Sequence, residues 1–283
     1  TFVNTSGTST ATLNAVQIGS GKISAASVIT GTAATQGVAV NVASGGSLDL
    51  STWTFSGWTS GSDTISITGS TGDEIIVGSS QIDRFVVSDT AQVSAADRYN
   101  GGAGNDVIQI GVAGAGTSID LSAAASDGVN GFLSVEGITF VNTSGTSTAT
   151  FAAAQFGTGK IATATAITGT AADQAIAINV AANGSINLST WTFTTWTSGT
   201  DTISLTGSTG TEIIVGSGQV DRFVVGDSNQ VSATDRYNGG AGNDILQVGV
   251  AGDGTSIDFS AAAADGVNGF LSVEGIAFVN TSG

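Results

Sequence analysis

Cysteine, histidine, methionine and proline are all missing from the 283 residues, and only six side chains are basic. Each absence removes a class of function. No thiol or imidazole is available as nucleophile or general base, and no His or Cys can ligate zinc or copper, so any chemistry rests on carboxylates and hydroxyls. Absent proline fits an interior of strands that must all donate their N–H groups. Absent cysteine fits a protein exported to an exterior where stability comes from something other than disulfides. The 22 acidic residues leave a net charge of −16, which sets the chain against nucleic acid and anionic membranes and makes divalent cations its natural counterpart. There is no apolar run of the ~18 residues that a spanning helix requires, so membrane insertion is not expected. Neither an initiator methionine nor a signal peptide is visible, as expected for a segment within a longer protein.

What is present is repetition. Residues 1–138 reappear as residues 139–276 without insertion or deletion, with 104 of 138 positions identical. Residues 277–283 match residues 1–7 at six of seven positions, so a third copy is expected to start at Ala277. Repeats of fixed period bury a shared core by stacking along one axis, so the expected parts are repeat 1 (1–138), repeat 2 (139–276) and the start of a third (277–283).

Apolar residues come in short β-branched runs: Val38–Val42, Ile65–Ile67, Ile75–Val77, Phe85–Val87 and Val107–Ile110. Glycines close each run within a few residues, which predicts short strands at even spacing and no long helix. The Ala123–Asp127 segment has the composition for one helical turn, bounded by Gly128. A finer rule lies inside the long period: an acidic residue stands two positions before a large apolar one at Glu74, Asp83, Asp97 and Asp106, separated by 9, 14 and 9 residues. Two half-turns of nine make a coil of 18, and the second coil carries five extra residues near Ser88–Ala91.

The stretches Gly101-Gly102-Ala103-Gly104-Asn105-Asp106-Val107-Ile108-Gln109 and Gly239-Gly240-Ala241-Gly242-Asn243-Asp244-Ile245-Leu246-Gln247 resemble the calcium-binding nonapeptide of RTX (hemolysin-type) proteins, G-G-x-G-x-D-x-U-x. The run from Trp53 through Ile67 to Gly78 is similar to the long β-solenoid repeats of large bacterial surface and adhesin-type proteins. The resemblance implies an all-β, right-handed parallel β-solenoid of the β-roll kind, with calcium between stacked turns. It implies Asp106 and Asp244 as carboxylate ligands, Gly102, Gly104, Gly240 and Gly242 as carbonyl donors, and Ile108 and Leu246 as core. An ion between coils needs two turns. The expected partner of the Asp106 turn is the Asp83 turn, which keeps one of the three glycines, and Asp221 stands in the same position in repeat 2.

The residues leave alternatives open. Asp106 and Asp244 either ligate calcium or accept hydrogen bonds from nearby backbone N–H groups. Asp83 and Asp221 share that choice, and each is followed by an arginine, Arg84 or Arg222, able to answer acidic neighbours. Trp53, Trp58, Trp191 and Trp196 pack in a core or form a sugar platform. Coils of roughly 18–23 residues, about six or seven per repeat, are the expected architecture, with tandem β-sandwiches the competing one.

The functional expectation is a non-enzymatic structural repeat of an extracellular bacterial fibre, surface layer or giant adhesin. The resemblance implies a Gram-negative source and type I secretion. Expected partners are calcium, neighbouring copies of the repeat, other chains of the same protein and cell-surface glycans. A multivalent carbohydrate- or protein-binding module is the alternative, and a polysaccharide-cleaving enzyme a weaker one.

Overall fold

In the computed structural model, which describes residues 1–250 and 256–279, the chain is an all-β solenoid of parallel strands with about ten turns. Its residues divide into two compact units: 1–114, 123–141 and 157–162 in the first, 115–122, 142–156 and 163–283 in the second. Residues 280–283 of the expected third copy lie outside the described residues.

In the first unit one sheet carries Thr8–Asn14, Thr35–Asn41, Thr64–Thr68, Asp83–Val87 and Val107–Ala115. A second sheet carries Ser47–Asp49, Ile75–Val77, Arg98–Asn100 and Gly131–Leu133. Register follows the alternation of side chains, because a slip of one residue would turn every apolar group outward. Val38 pairs with Ile65, and Ile67 with Phe85, which pairs in turn with Ile108. On the opposite face Leu48, Ile76, Tyr99 and Phe132 line up in the same way. All nine are buried, so the two ladders face each other across one core. Tyr99 joins the faces: its ring lies 5.7 Å from Phe85, is stacked 5.2 Å from Phe132, and its hydroxyl donates to the Gln92 carbonyl at 2.8 Å.

The second unit repeats this logic. Gln174–Asn179, Thr202–Thr206, Asp221–Val225, Ile245–Val248 and Gly275–Phe278 form one ladder, in which Leu205, Phe223, Leu246 and Ile276 follow one another in register. Ser185–Asn187, Ile213–Val215, Arg236–Asn238 and Gly269–Leu271 form the other, with Tyr237 stacked 5.1 Å from Phe270.

The coils are less uniform than the nine-residue rule predicts. Asp83 pairs with Ile65, 18 residues earlier, and Val107 with Arg84, 23 earlier. The Thr8 to Thr35 and Gly37 to Thr64 steps are 27, and Ile245 to Gly275 is 30. Longer coils mean fewer of them, so the expected six or seven per repeat is too many. The five extra residues are where the sequence places them: Thr90–Gln92 is a short 3-10 turn capped by Asp89, which accepts from the Ala91 N–H at 2.8 Å. Residues 123–127 form turns and bends, not helix. Among the described residues no helix is long and apolar enough to cross a membrane.

Candidate metal centre

An acidic residue that opens a strand in a solenoid stands at a corner, where backbone N–H groups of adjacent turns need acceptors. In the first unit the corner carboxylates form two rows. In one, Asp97 Oδ1 accepts from the Glu74 N–H at 2.7 Å and Oδ2 from the Ser94 N–H at 2.6 Å. In the other, Asp106 Oδ1 accepts from the Asp83 N–H at 2.8 Å, and Glu136 accepts from the Asp106 N–H at 2.8 Å. Asp83 closes its own turn, with Oδ2 taking the Ser79 N–H at 2.7 Å and the Ser79 hydroxyl at 3.0 Å. Each acid therefore caps the turn before it or its own turn, and the 23-residue step between Asp83 and Asp106 is a stacking step. The expected neighbour of the nonapeptide turn, the Asp83 turn, lies beside it.

Capping uses only part of these groups. Asp83, Asp106, Asp221 and Asp244 are fully buried, yet Asp83 Oδ1, Asp106 Oδ2, Asp221 Oδ1 and Asp244 Oδ2 have no hydrogen-bond partner. Glu74 and Glu212 each leave one oxygen in the same state. A buried carboxylate oxygen without a partner costs free energy until a proton or a cation reaches it. Burial accordingly pushes the Asp83 carboxyl up to about 7 against the Ser79 N–H bond that favours its charge, with the Asp106 charge adding to the rise. Burial likewise raises Asp106 to about 7, helped by Glu136, and Asp221 to about 7, helped by Asp244. Asp244 is raised for the same first reason, with Glu274 adding.

The glycines of the nonapeptide hold turns at contact. Gly102 has φ +90° and Gly104 φ +148°, and a methyl on Gly104 would overlap the Gln81 carbonyl of the preceding turn. Gly240 and Gly242 repeat this, with φ +89° and +146°. What the packing assigns to these four is close approach of backbone to backbone. Two other glycines mark where oxygens gather. A methyl on Gly78 would meet the Gly101 carbonyl and Asp83 Oδ2, and one on Gly101 would overlap both Asp106 Oδ2 and the Ser134 carbonyl. Gly216 and Gly239 do the same with Gly239 O, Asp221, Ser272 O and Asp244.

The donor set is thus buried carboxylate plus main-chain carbonyl, the chemistry of a hard cation such as calcium. Among the described residues no group of three or more Asp, Glu, His or Cys side chains is arranged to hold a metal ion. A cation here would rest on one or two carboxylates, with carbonyls and water completing its shell.

Glu136 and Glu274 escape the motif, although Glu136-Gly137-Ile138 obeys the rule of an acid two places before a large apolar residue. The signal was present, 30 residues beyond Asp106, but outside any glycine-rich stretch. Trp53 and Trp191 are buried, while Trp58 and Trp196 are half-buried, leaning on Phe55 and Phe193 at ring distances of 5.3 and 5.4 Å.

No family model matches the chain, and no match is found among the curated proteins or the solved structures.

Proposed function

We propose that this chain is a structural repeat of a secreted, calcium-binding bacterial fibre, surface layer or giant adhesin, in which calcium fastens successive turns at the Asp83 and Asp106 corners and their counterparts Asp221 and Asp244. The observation that carries the reading is the set of orphaned, buried carboxylate oxygens, each at the same corner in both repeats. A bound divalent cation supplies the positive charge these oxygens lack. The chain's own residues do the rest: they hold the carboxylates out of water, stack the turns, and bring main-chain carbonyls beside them.

The mechanism is one of stability. In a calcium-poor cytosol, the net charge of −16 opposes compaction, and outside the cell calcium binds the folded form and shifts the equilibrium by mass action. Parallel β-ladders with no proline to interrupt them support a structural repeat over a cleft-based enzyme. The test is thermal unfolding of the 283-residue chain with millimolar calcium and with EDTA. Calcium should raise the melting temperature, and Asp106→Asn with Asp244→Asn should lose most of that rise. An identical melt in both conditions would sink the calcium reading.

A further inference from the structure

The sequence pairs the intact nonapeptide with the turn before it. The oxygens point the other way. Asp106 gives Oδ1 to the preceding turn, where it accepts from the Asp83 N–H, whereas Oδ2, buried and without a partner, converges with the Ser134 carbonyl over Gly101. Two acceptors meet there. The turn that supplies the carbonyl is tied to the nonapeptide from its own side: the Glu136 and Gly137 N–H groups both donate to the Asp106 carbonyl, at 2.8 and 3.0 Å, and the Glu136 carboxylate takes the Asp106 N–H. A second negative charge therefore sits against Asp106. Ser134 reaches this position with a left-handed backbone, φ 49°.

The second repeat has every element of this arrangement. Asp244 Oδ2 is buried and unpartnered, it converges with the Ser272 carbonyl over Gly239, Ser272 has φ 48°, and Glu274 accepts from the Asp244 N–H at 2.8 Å.

We infer that each repeat holds a distinct hard-cation site between the nonapeptide turn and the turn that follows it, formed by Asp106 Oδ2 and the Ser134 carbonyl with Glu136 as positioning residue, and by Asp244, Ser272 and Glu274 in the second copy. The ligand class is a calcium-like divalent cation, because the donors are carboxylate and carbonyl oxygens and the local charge is negative twice over. The inference rests on the calcium reading but goes past it, since the Ser134–Glu136 turn carries no part of the nonapeptide pattern. It assigns the intact motif to the following turn and leaves the Asp83 and Gly101 oxygens as a separate site.

Calcium alone, titrated calorimetrically into the full chain at pH 7.5, tests it. Glu136→Gln with Glu274→Gln keeps an oxygen to accept the Asp106 and Asp244 N–H groups, so the caps survive while the charge is lost. The double variant should bind two fewer calcium ions per chain, or bind two of them at least about tenfold more weakly, as loss of an outer-sphere partner usually does. Its melting temperature in EDTA should match that of the parent, which a residue with a merely structural role would not allow. Asp83→Asn with Asp221→Asn should remove the other ions and leave these two. Calcium binding by the glutamine variant with unchanged number and affinity overturns the inference while the calcium reading stands. No calcium binding by the parent chain overturns both.

Discussion

A buried carboxylate can serve as a cap, as a cation ligand, or as both, and substitution by asparagine separates these uses at the level of one residue. Asp97 spends both oxygens on backbone N–H groups, those of Glu74 and Ser94. Asparagine there must turn its NH₂ group toward one of these donors, so Asp97→Asn should cost about 1–3 kcal/mol in EDTA, read from chemical denaturation. Asp106 is different, because Oδ1 caps and Oδ2 faces the Ser134 carbonyl. An amide would keep the cap and donate to that carbonyl, so Asp106→Asn should leave the metal-free protein as stable or more so while losing the one calcium ion held at that turn. Equal destabilisation by both changes would mean that the two rows of acids do the same work. Gly101 is a third single-residue test. A methyl at Gly101 overlaps both Asp106 and the Ser134 carbonyl, and the latter is backbone that cannot swing aside, so Gly101→Ala should fold poorly with or without calcium, as seen by loss of soluble expression or a sharply lower melt.

At the level of the elements, the 3-10 turn at Thr90–Gln92 shows how a coil absorbs extra residues without breaking its ladder. Gln92 does this with one amide: its Oε1 accepts from the Ser88 and Asp89 N–H groups at 2.7 and 3.0 Å, and its Nε2 donates to the Gly69 carbonyl of the preceding coil at 2.9 Å. Gln230 makes the matching bonds to Gly226, Asp227 and Gly207. Gln92→Ala should cost about 1–3 kcal/mol, since it strands two part-buried donors and a buried acceptor together, and hydrogen exchange should quicken around Ser88 and Asp89 before it does in the Val107–Ala115 strand. The position of this insertion was legible in the sequence, because a gap of 14 between Asp83 and Asp97 interrupts two gaps of 9. The strands were legible for the same reason: β-branched runs closed by glycine have few other structures open to them. Coil length was not, since the nine-residue rhythm marks only the 18- and 23-residue coils, and the 27- and 30-residue coils place their extra residues in loops of no fixed pattern. The direction of Asp106 was not legible either. Which oxygen of a carboxylate is spent on a cap depends on the register between turns, and Ser134 supplies a main-chain carbonyl, for which no side chain leaves a trace.

For the molecule as a whole, these buried acids tie stability to pH in a direction opposite to that of most proteins. Asp83, Asp106 and Asp221 sit at about 7 in the folded chain, above the ordinary carboxylate value of 3.8. Between those two values the folded form keeps protons that the unfolded chain has released, so metal-free stability is full below about pH 4 as far as these groups are concerned and falls as pH rises toward 7. The melting temperature in EDTA should therefore be higher at pH 5 than at pH 8, and calcium, which takes the place of the protons, should stabilise more at pH 8 than at pH 5. General repulsion among the excess acidic groups has the same sign and must be separated from this. Added monovalent salt screens the exposed charges and leaves buried ones largely untouched, so the pH slope should persist at high salt. Replacing Asp83, Asp106, Asp221 and Asp244 together by asparagine should flatten it. A slope that vanishes with salt but survives those four substitutions would place the effect on the surface, and would leave the corner carboxylates as caps alone.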